Sequence, residues 1–270
     1  MVRWLIVLSS IVIGGCADLS AVQEFAATSA QSAEYERLLD QYVDTPLREK
    51  RFQPADQQAR LDEIVCARTV QRDRLLLRQE LIVEYMKAIG ELAADDAVEF
   101  DRGIGKIEDA VVGNGLAGDR DADAFSAVSK LLSRVVADAW RKGKLKALVT
   151  ESNAPFQDVV GALRTIVGRD FTADIENEKQ AMIGYYETLI RESRDSAGIA
   201  ALREWEEERL SEADARARAD SCYAGILGKI ASGHQRLYDG RDDLGSKELV
   251  RQLKLYSTDV QGLVKAIRND

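Results

Sequence analysis

Apolar positions recur at helical spacing along almost the whole chain. From Asp18 to about Val43, Leu19, Val22, Ala26, Ala33, Tyr35, Leu38 and Tyr42 recur at spacings near three and four, with one weak patch around Ser29. Thr45-Pro46 is the expected break. Pro54 suits a helix's first turn, and the stripe Leu61, Ile64, Val65, Leu76, Leu81, Tyr85, Ile89 and Leu92 predicts a second helix from Ala55 to about Ala94. Such a helix would be about 60 Å long, so the protein should be elongated.

Residues 113–123, GNGLAGDRDAD, read as a loop. A helix should follow from about Ala122 to Lys146. ESNAPF, 151–156, reads as a capped helix start, with Ser152 and Asn153 just ahead of Pro155. The next stretch runs to about Arg194 with a bend expected near Gly168-Arg169-Asp170, and another runs from about Ser196 to Leu237. In the last, Lys247 to Arg268, the positions Leu249, Leu253, Tyr256, Val260, Leu263 and Ile267 keep a four-three alternation, the seam of an antiparallel bundle. No run alternates with period two between hairpin turns. The expected fold is all-α: an elongated bundle of long antiparallel amphipathic helices.

Composition agrees with that pattern. The 270 residues are 46% apolar and 31% charged, with three prolines and 6% aromatics, enough for a large core and biased toward helix. A formal charge of −9 disfavours nucleic acid, which calls for a cationic surface.

The first sixteen residues depart from the amphipathic pattern. Arg3 precedes an apolar run from Trp4 to Ile13 that would reach only about 15 Å as a helix, half of a ~30 Å hydrocarbon core. That is the shape of a secretory signal. Ile13-Gly14-Gly15-Cys16 resembles the lipobox of bacterial lipoproteins, with an aliphatic and two small residues before a cysteine. The resemblance covers residues 1–16 only. It implies that 1–15 are cleaved, that the Cys16 thiol carries a diacylglyceryl group, and that 16–270 form one periplasmic domain held to a membrane. Two or three acyl chains anchor durably where one holds marginally. An aspartate directly after the cysteine resembles an inner-membrane retention signal; here Ala17 follows, which implies the outer membrane, facing the periplasm. Helical spacing begins at Leu19, so almost no tether separates lipid from bundle.

Cys66 and Cys222 are a candidate disulfide in an oxidising compartment, and the neighbouring stripes place both toward the interior. Groups for catalysis are scarce. One histidine, His234, rules out an HExxH zinc site, and its place after Gly233 near a helix end predicts a surface or rim position. Asp119 to Asp123 opens like a calcium loop, but Ala124 and Lys130 stand where glycine and glutamate are needed. GIGK (103–106) and GILGK (225–229) lack phosphate-loop spacing. WEEER (205–209) and ENEK (176–179) read as solvated faces rather than a glycosidase pair. WRKGKLK, with Trp140, Arg141, Lys142, Lys144 and Lys146, is the one stretch suited to an acidic partner or anionic headgroups, although a basic helix C-terminus capped at Gly143 is the simpler account. REKRF (48–52) is a weaker second cluster. The expectation is a non-enzymatic protein without cofactor, binding a protein partner in the envelope as scaffold, adaptor or accessory subunit. The alternatives are an inhibitor of immunity type that neutralises a toxin, and an enzyme acting on cell wall or lipid.

Overall fold

The computed structural model describes residues 19–94, 120–137 and 144–269, and all regular structure among them is helical. Cys16, the GIGK segment and residues 138–143, with Trp140, Arg141 and Lys142, lie outside the described residues. The helices are α1 (Ser20–Ala33), α2 (Glu36–Lys50), α3 (Ala55–Ala94), α4 (Arg120–Ala137), α5 (Leu145–Thr165), α6 (Thr172–Glu192), α7 (Ser196–Asp239) and α8 (Lys247–Asn269), with a π-helical segment, Ile166–Phe171, joining α5 to α6.

The first break falls at Glu34-Tyr35, well before the expected Thr45-Pro46, and two side chains hold it. Tyr223 donates its hydroxyl hydrogen to the Ala33 carbonyl (2.7 Å), and Gln79 donates to the Tyr35 carbonyl (3.4 Å). The Ala33 carbonyl ends α1, where an acceptor lacks a following turn's N–H, and the Tyr35 carbonyl, which also accepts from the Leu38 N–H (3.3 Å), opens α2. Ser29, the weak patch, lies fully buried within α1. Pro46 is carried inside α2. It cannot donate to the Tyr42 carbonyl, and Arg68 of α3 supplies that hydrogen bond instead, at 3.0 Å. Pro155 likewise sits inside α5, which starts at Leu145 rather than near residue 151. Ser152 and Asn153 are therefore interior residues, not caps.

The π segment falls where the bend was expected. A Cβ on Gly168 would lie 3.3 Å from the Ala224 side chain, so the absent side chain lets this turn press onto α7. Asp195 caps α7 by accepting from the Ala197 and Gly198 N–H groups, which makes a sharp corner after α6.

α3 and α7, of 40 and 44 residues, are about 60 and 66 Å long. At one end α1, the second half of α3, α4, α5, the second half of α7 and α8 enclose the apolar core, built on Phe25, Ile82, Met86, Phe125, Phe156, Leu227 and Ile230. α1 is antiparallel to both long helices: Gly90 meets Ala26, while Phe25 lies against Gly233 and Tyr35 against Tyr223. At the other end, α2 and the first part of α3 pack on α6 and the first part of α7, and charged groups replace much of the apolar core. No helix among the described residues is long and apolar enough to cross a membrane.

Candidate functional site

A broad groove lies at that second end. The close of α2, the turn after it, the first third of α3 and the flank of α6 border a groove of about 1090 Å³. Pro46, Leu61, Ile64 and Ala181 give it apolar wall, while Gln57 and Asn177 carry amides along it. Phe52 meets Tyr185 edge to face, with ring centroids 5.6 Å apart, and Tyr185 remains 40% exposed. Gly184 stands in the α6 wall, and a Cβ there would meet nothing within 4 Å. The opening is thus a real gap between helices.

Arg68 and Asp174 form the base of the groove, paired at 2.6 Å, and the Arg68 guanidinium also lies over the Tyr42 ring, 4.4 Å from its centroid. Tyr42 stacks in turn on Phe171 of the π segment, at 4.0 Å. Behind them, Glu178 is fully buried between Arg48 of α2 (3.1 Å) and Arg216 of α7 (2.8 Å). Three helices are therefore tied through one carboxylate. Asp220 shares this interior. Burial pushes its carboxyl up to about 7, against the opposing pull of Arg216 and Arg48. Burial also raises Asp174, with Arg68 acting the other way.

A different polar structure runs through the apolar end. His234 is fully buried, contrary to the surface position expected, and its ring bridges α3 and α5. Tyr85 Oη lies 2.6 Å from His234 Nε2 and 2.5 Å from Ser152 Oγ, and Asn153 Oδ1 lies 3.1 Å from His234 Nδ1. Asn153 donates to Gln235 (3.1 Å), which donates to Asp239 (2.8 Å) at the surface. An ionised carboxylate only accepts, so Asp239 sets the direction of the whole chain. Gln235 must present its NH₂ to Asp239, Asn153 its NH₂ to Gln235, and His234 its Nδ1–H to Asn153. Nε2 is then the acceptor for Tyr85, and the one Ser152 hydroxyl hydrogen is shared between the Leu148 carbonyl (2.6 Å) and Tyr85 Oη. Burial depresses the His234 pKa to about 3 and raises that of Tyr85, so both stay neutral. Neither reaches a surface at which a substrate could be handled.

The remaining residues singled out in the sequence scatter. Cys66 and Cys222 are separate cysteines rather than a disulfide; Cys66 is exposed on α3, where its stripe predicted an inward position, and Cys222 is half-buried on α7. Lys144 precedes α5, and Lys146 lies in that helix's first turn, paired with Asp242 at 2.5 Å, so these cations open a helix instead of closing one. In REKRF, Arg48 holds buried Glu178 and Lys50 pairs with Asp62 at 2.6 Å. WEEER is mostly exposed, with Trp205 at 55%, as a solvated face requires. ENEK is not uniformly so, because Glu178 points inward. GILGK lies inside α7, where Gly225 and Gly228 allow close approach of Leu263 and Arg164. Among the described residues no cluster of His, Cys, Asp and Glu is arranged to hold a metal ion.

Glu178, His234 and Gln79 were visible in one respect. Each sits on an apolar stripe: Ile175-Glu178-Met182, Ile230-His234-Leu237 and Leu75-Gln79-Ile82. A polar residue at a core position of a helical repeat signals a buried, partnered group. No known protein family, curated protein or solved structure matches the chain.

Proposed function

We propose that this protein is a lipoprotein of the outer membrane that faces the periplasm and binds a protein partner in the groove between α2, α3 and α6, acting as a scaffold or adaptor of an envelope complex. The observation that carries the reading is the distance between the groove and α1, the described helix that follows Cys16 in sequence. Ala21, already buried in the core, is five residues from Cys16, a reach of at most about 18 Å. Leu61, in the groove, is 29 residues along α3 from Gly90, which packs against Ala26 of α1. At 1.5 Å per residue that is about 44 Å. An acylated Cys16 would hold the apolar end at the bilayer and present the groove far from it, on a stiff support of two continuous helices. Confinement to a surface raises the effective concentration of a partner held on the same membrane.

Two substitutions test this. Cys16→Ser should abolish metabolic labelling by palmitate; retained label refutes the anchor. Gly184→Trp projects an indole into the groove from a position whose Cβ would meet nothing within 4 Å, and it replaces a helical glycine, which costs a helix about 1 kcal/mol relative to alanine. It should keep the fold and lose the partner recovered by cross-linking in intact envelopes. If the variant recovers the same partner in the same amount, the groove is not the binding face.

A further inference from the structure

The junction of α2, α6 and α7 holds more positive charge than its ion pairs consume. Glu178, fully buried, accepts from Arg48 Nε (3.1 Å) and from Arg216 Nη2 (2.8 Å), so two guanidinium groups share one carboxylate. Arg48 directs its Nη2 to the Gln41 carbonyl and Thr45 Oγ1, both within α2. Arg216 is less well provided: its Nε is buried and meets no acceptor among the described residues. An N–H left in that state is costly, because the water it gave up has not been replaced.

Asp220 follows Arg216 one helical turn along α7 and is 3% exposed. The charged and titratable groups around it are Arg216 on its own helix, Arg48 of α2, Asp174 of α6 and Tyr35 at the α1–α2 break. Behind them stand Glu178, which holds both arginines, and Arg68 of α3, which holds Asp174. Of these charges Arg216 pulls hardest on the Asp220 carboxyl. With a proton on Asp220, Arg48 and Arg216 face Glu178 alone and one positive charge is left over in the interior; without it, two arginines face two carboxylates. The arrangement seen belongs to the protonated form, since Arg216 is turned to Glu178 and its Nε is unused. Burial pushes the Asp220 carboxyl up to about 7, against Arg216 and Arg48, so the proton is held below neutrality and leaves above it.

We propose that Arg216 is a proton-operated switch at this junction: it ties α7 to α6 through Glu178 while Asp220 is protonated, and turns its Nε–H to the Asp220 carboxylate when that proton leaves. In the second state Glu178 keeps Arg48 of α2 and loses its link to α7. The Arg68–Asp174 pair is balanced in both states. What still joins α6 to α7 by charge is Lys179–Asp214 at 2.8 Å, with Asp214 about half exposed and open to screening by water. The α6 wall of the junction therefore loosens as the pH rises through neutrality. His234, held neutral down to about pH 3 by its burial, contributes nothing to a transition in that range.

Arg216 supplies its own probe, because a buried guanidinium Nε–H exchanges slowly with water and gives a ¹H–¹⁵N signal, assigned by its loss in Arg216→Lys. In the full chain that signal should move in a single step between about pH 5.5 and about pH 8.5, with the midpoint shown by the Asp220 carboxyl carbon. Over the same range the amides of residues 172–182 should exchange with deuterium about tenfold faster, after correction for the intrinsic rate, as one charge-assisted hydrogen bond is lost from α6. Asp220→Asn cannot ionise and should hold both readouts at their low-pH values throughout. An Asp220 carboxyl that titrates near pH 4, an Nε–H signal that does not move, or α6 exchange that accelerates equally in Asp220→Asn would each overturn the proposal. The titration of the unaltered chain decides it even where the variant does not fold. The outcome is independent of the groove and of the lipid anchor.

Discussion

Acidification should leave the single histidine neutral far below the pH at which imidazole normally protonates. His234 is fully buried, its Nε2 accepts from Tyr85, and burial lowers its pKa from 6.5 to about 3. Between those values the unfolded chain binds a proton that the folded chain does not, so the contribution to stability is complete above about pH 6.5 and is lost as pH falls. At 1.36 kcal/mol per pH unit, about 3 kcal/mol is gone by about pH 4.5, and the whole effect is on the order of 5 kcal/mol. Because the chain has one histidine, a long-range ¹H–¹⁵N spectrum of the ring needs no assignment. It should show a neutral Nδ1–H tautomer at about pH 5. Urea denaturation supplies the energetics: His234→Gln should be the less stable protein at about pH 7.5, with the difference shrinking by about 3 kcal/mol at about pH 4.5. A ring that titrates near 6.5, or a difference that does not change with pH, would refute the reasoning. An Nε2–H tautomer would refute the direction assigned from Asp239.

Asp220 should give the opposite slope. Its carboxyl is raised from 3.8 to about 7, so the folded chain holds a proton that the unfolded chain releases, and its contribution is present below about pH 4 and lost as pH rises through 7. Asp220→Asn should therefore raise denaturation stability by about 2 kcal/mol or more at about pH 8 and change it little at about pH 4. Glu178→Ala leaves Arg48 and Arg216 facing each other in the interior and should cost about 3–5 kcal/mol by thermal or urea unfolding; a loss below about 1 kcal/mol would mean that water screens the pair. Gly233→Ala puts a methyl group into the ring of buried Phe25. Despite about 1 kcal/mol of gained helix propensity it should destabilise by about 1–3 kcal/mol, and Phe25→Leu should recover part of that loss in the double variant.

These sites were unequally visible before the structure. The bounds of α3, α7 and α8 follow from periodicity and punctuation: Pro54 ahead of α3, Asp195 capping α7, and the alternation from Leu249 onward. Prolines misled. Pro46 and Pro155 read as boundaries because each removes a backbone donor and crowds the preceding turn, yet both lie inside helices. For Pro46 the reason is nonlocal, since the freed Tyr42 carbonyl is taken by Arg68 across α2 and α3. The converse holds at Glu34-Tyr35, where no proline or glycine marks the break and where Tyr223, 190 residues away in sequence, receives the end of α1.

The sequence by itself determined that the chain is helical and where most long helices run, because helical period is a local property. It also carries the resemblance at Cys16. Only the tertiary structure decided which polar residues are interior. Glu178, His234 and Gln79 lie on apolar stripes, but the groups that receive them, Arg48, Tyr85 and Tyr223, come from other helices. The groove is likewise a property of two hairpins meeting, with no single segment to announce it. Burial and concavity depend on which helices meet, and that choice is made by packing between segments up to 190 residues apart.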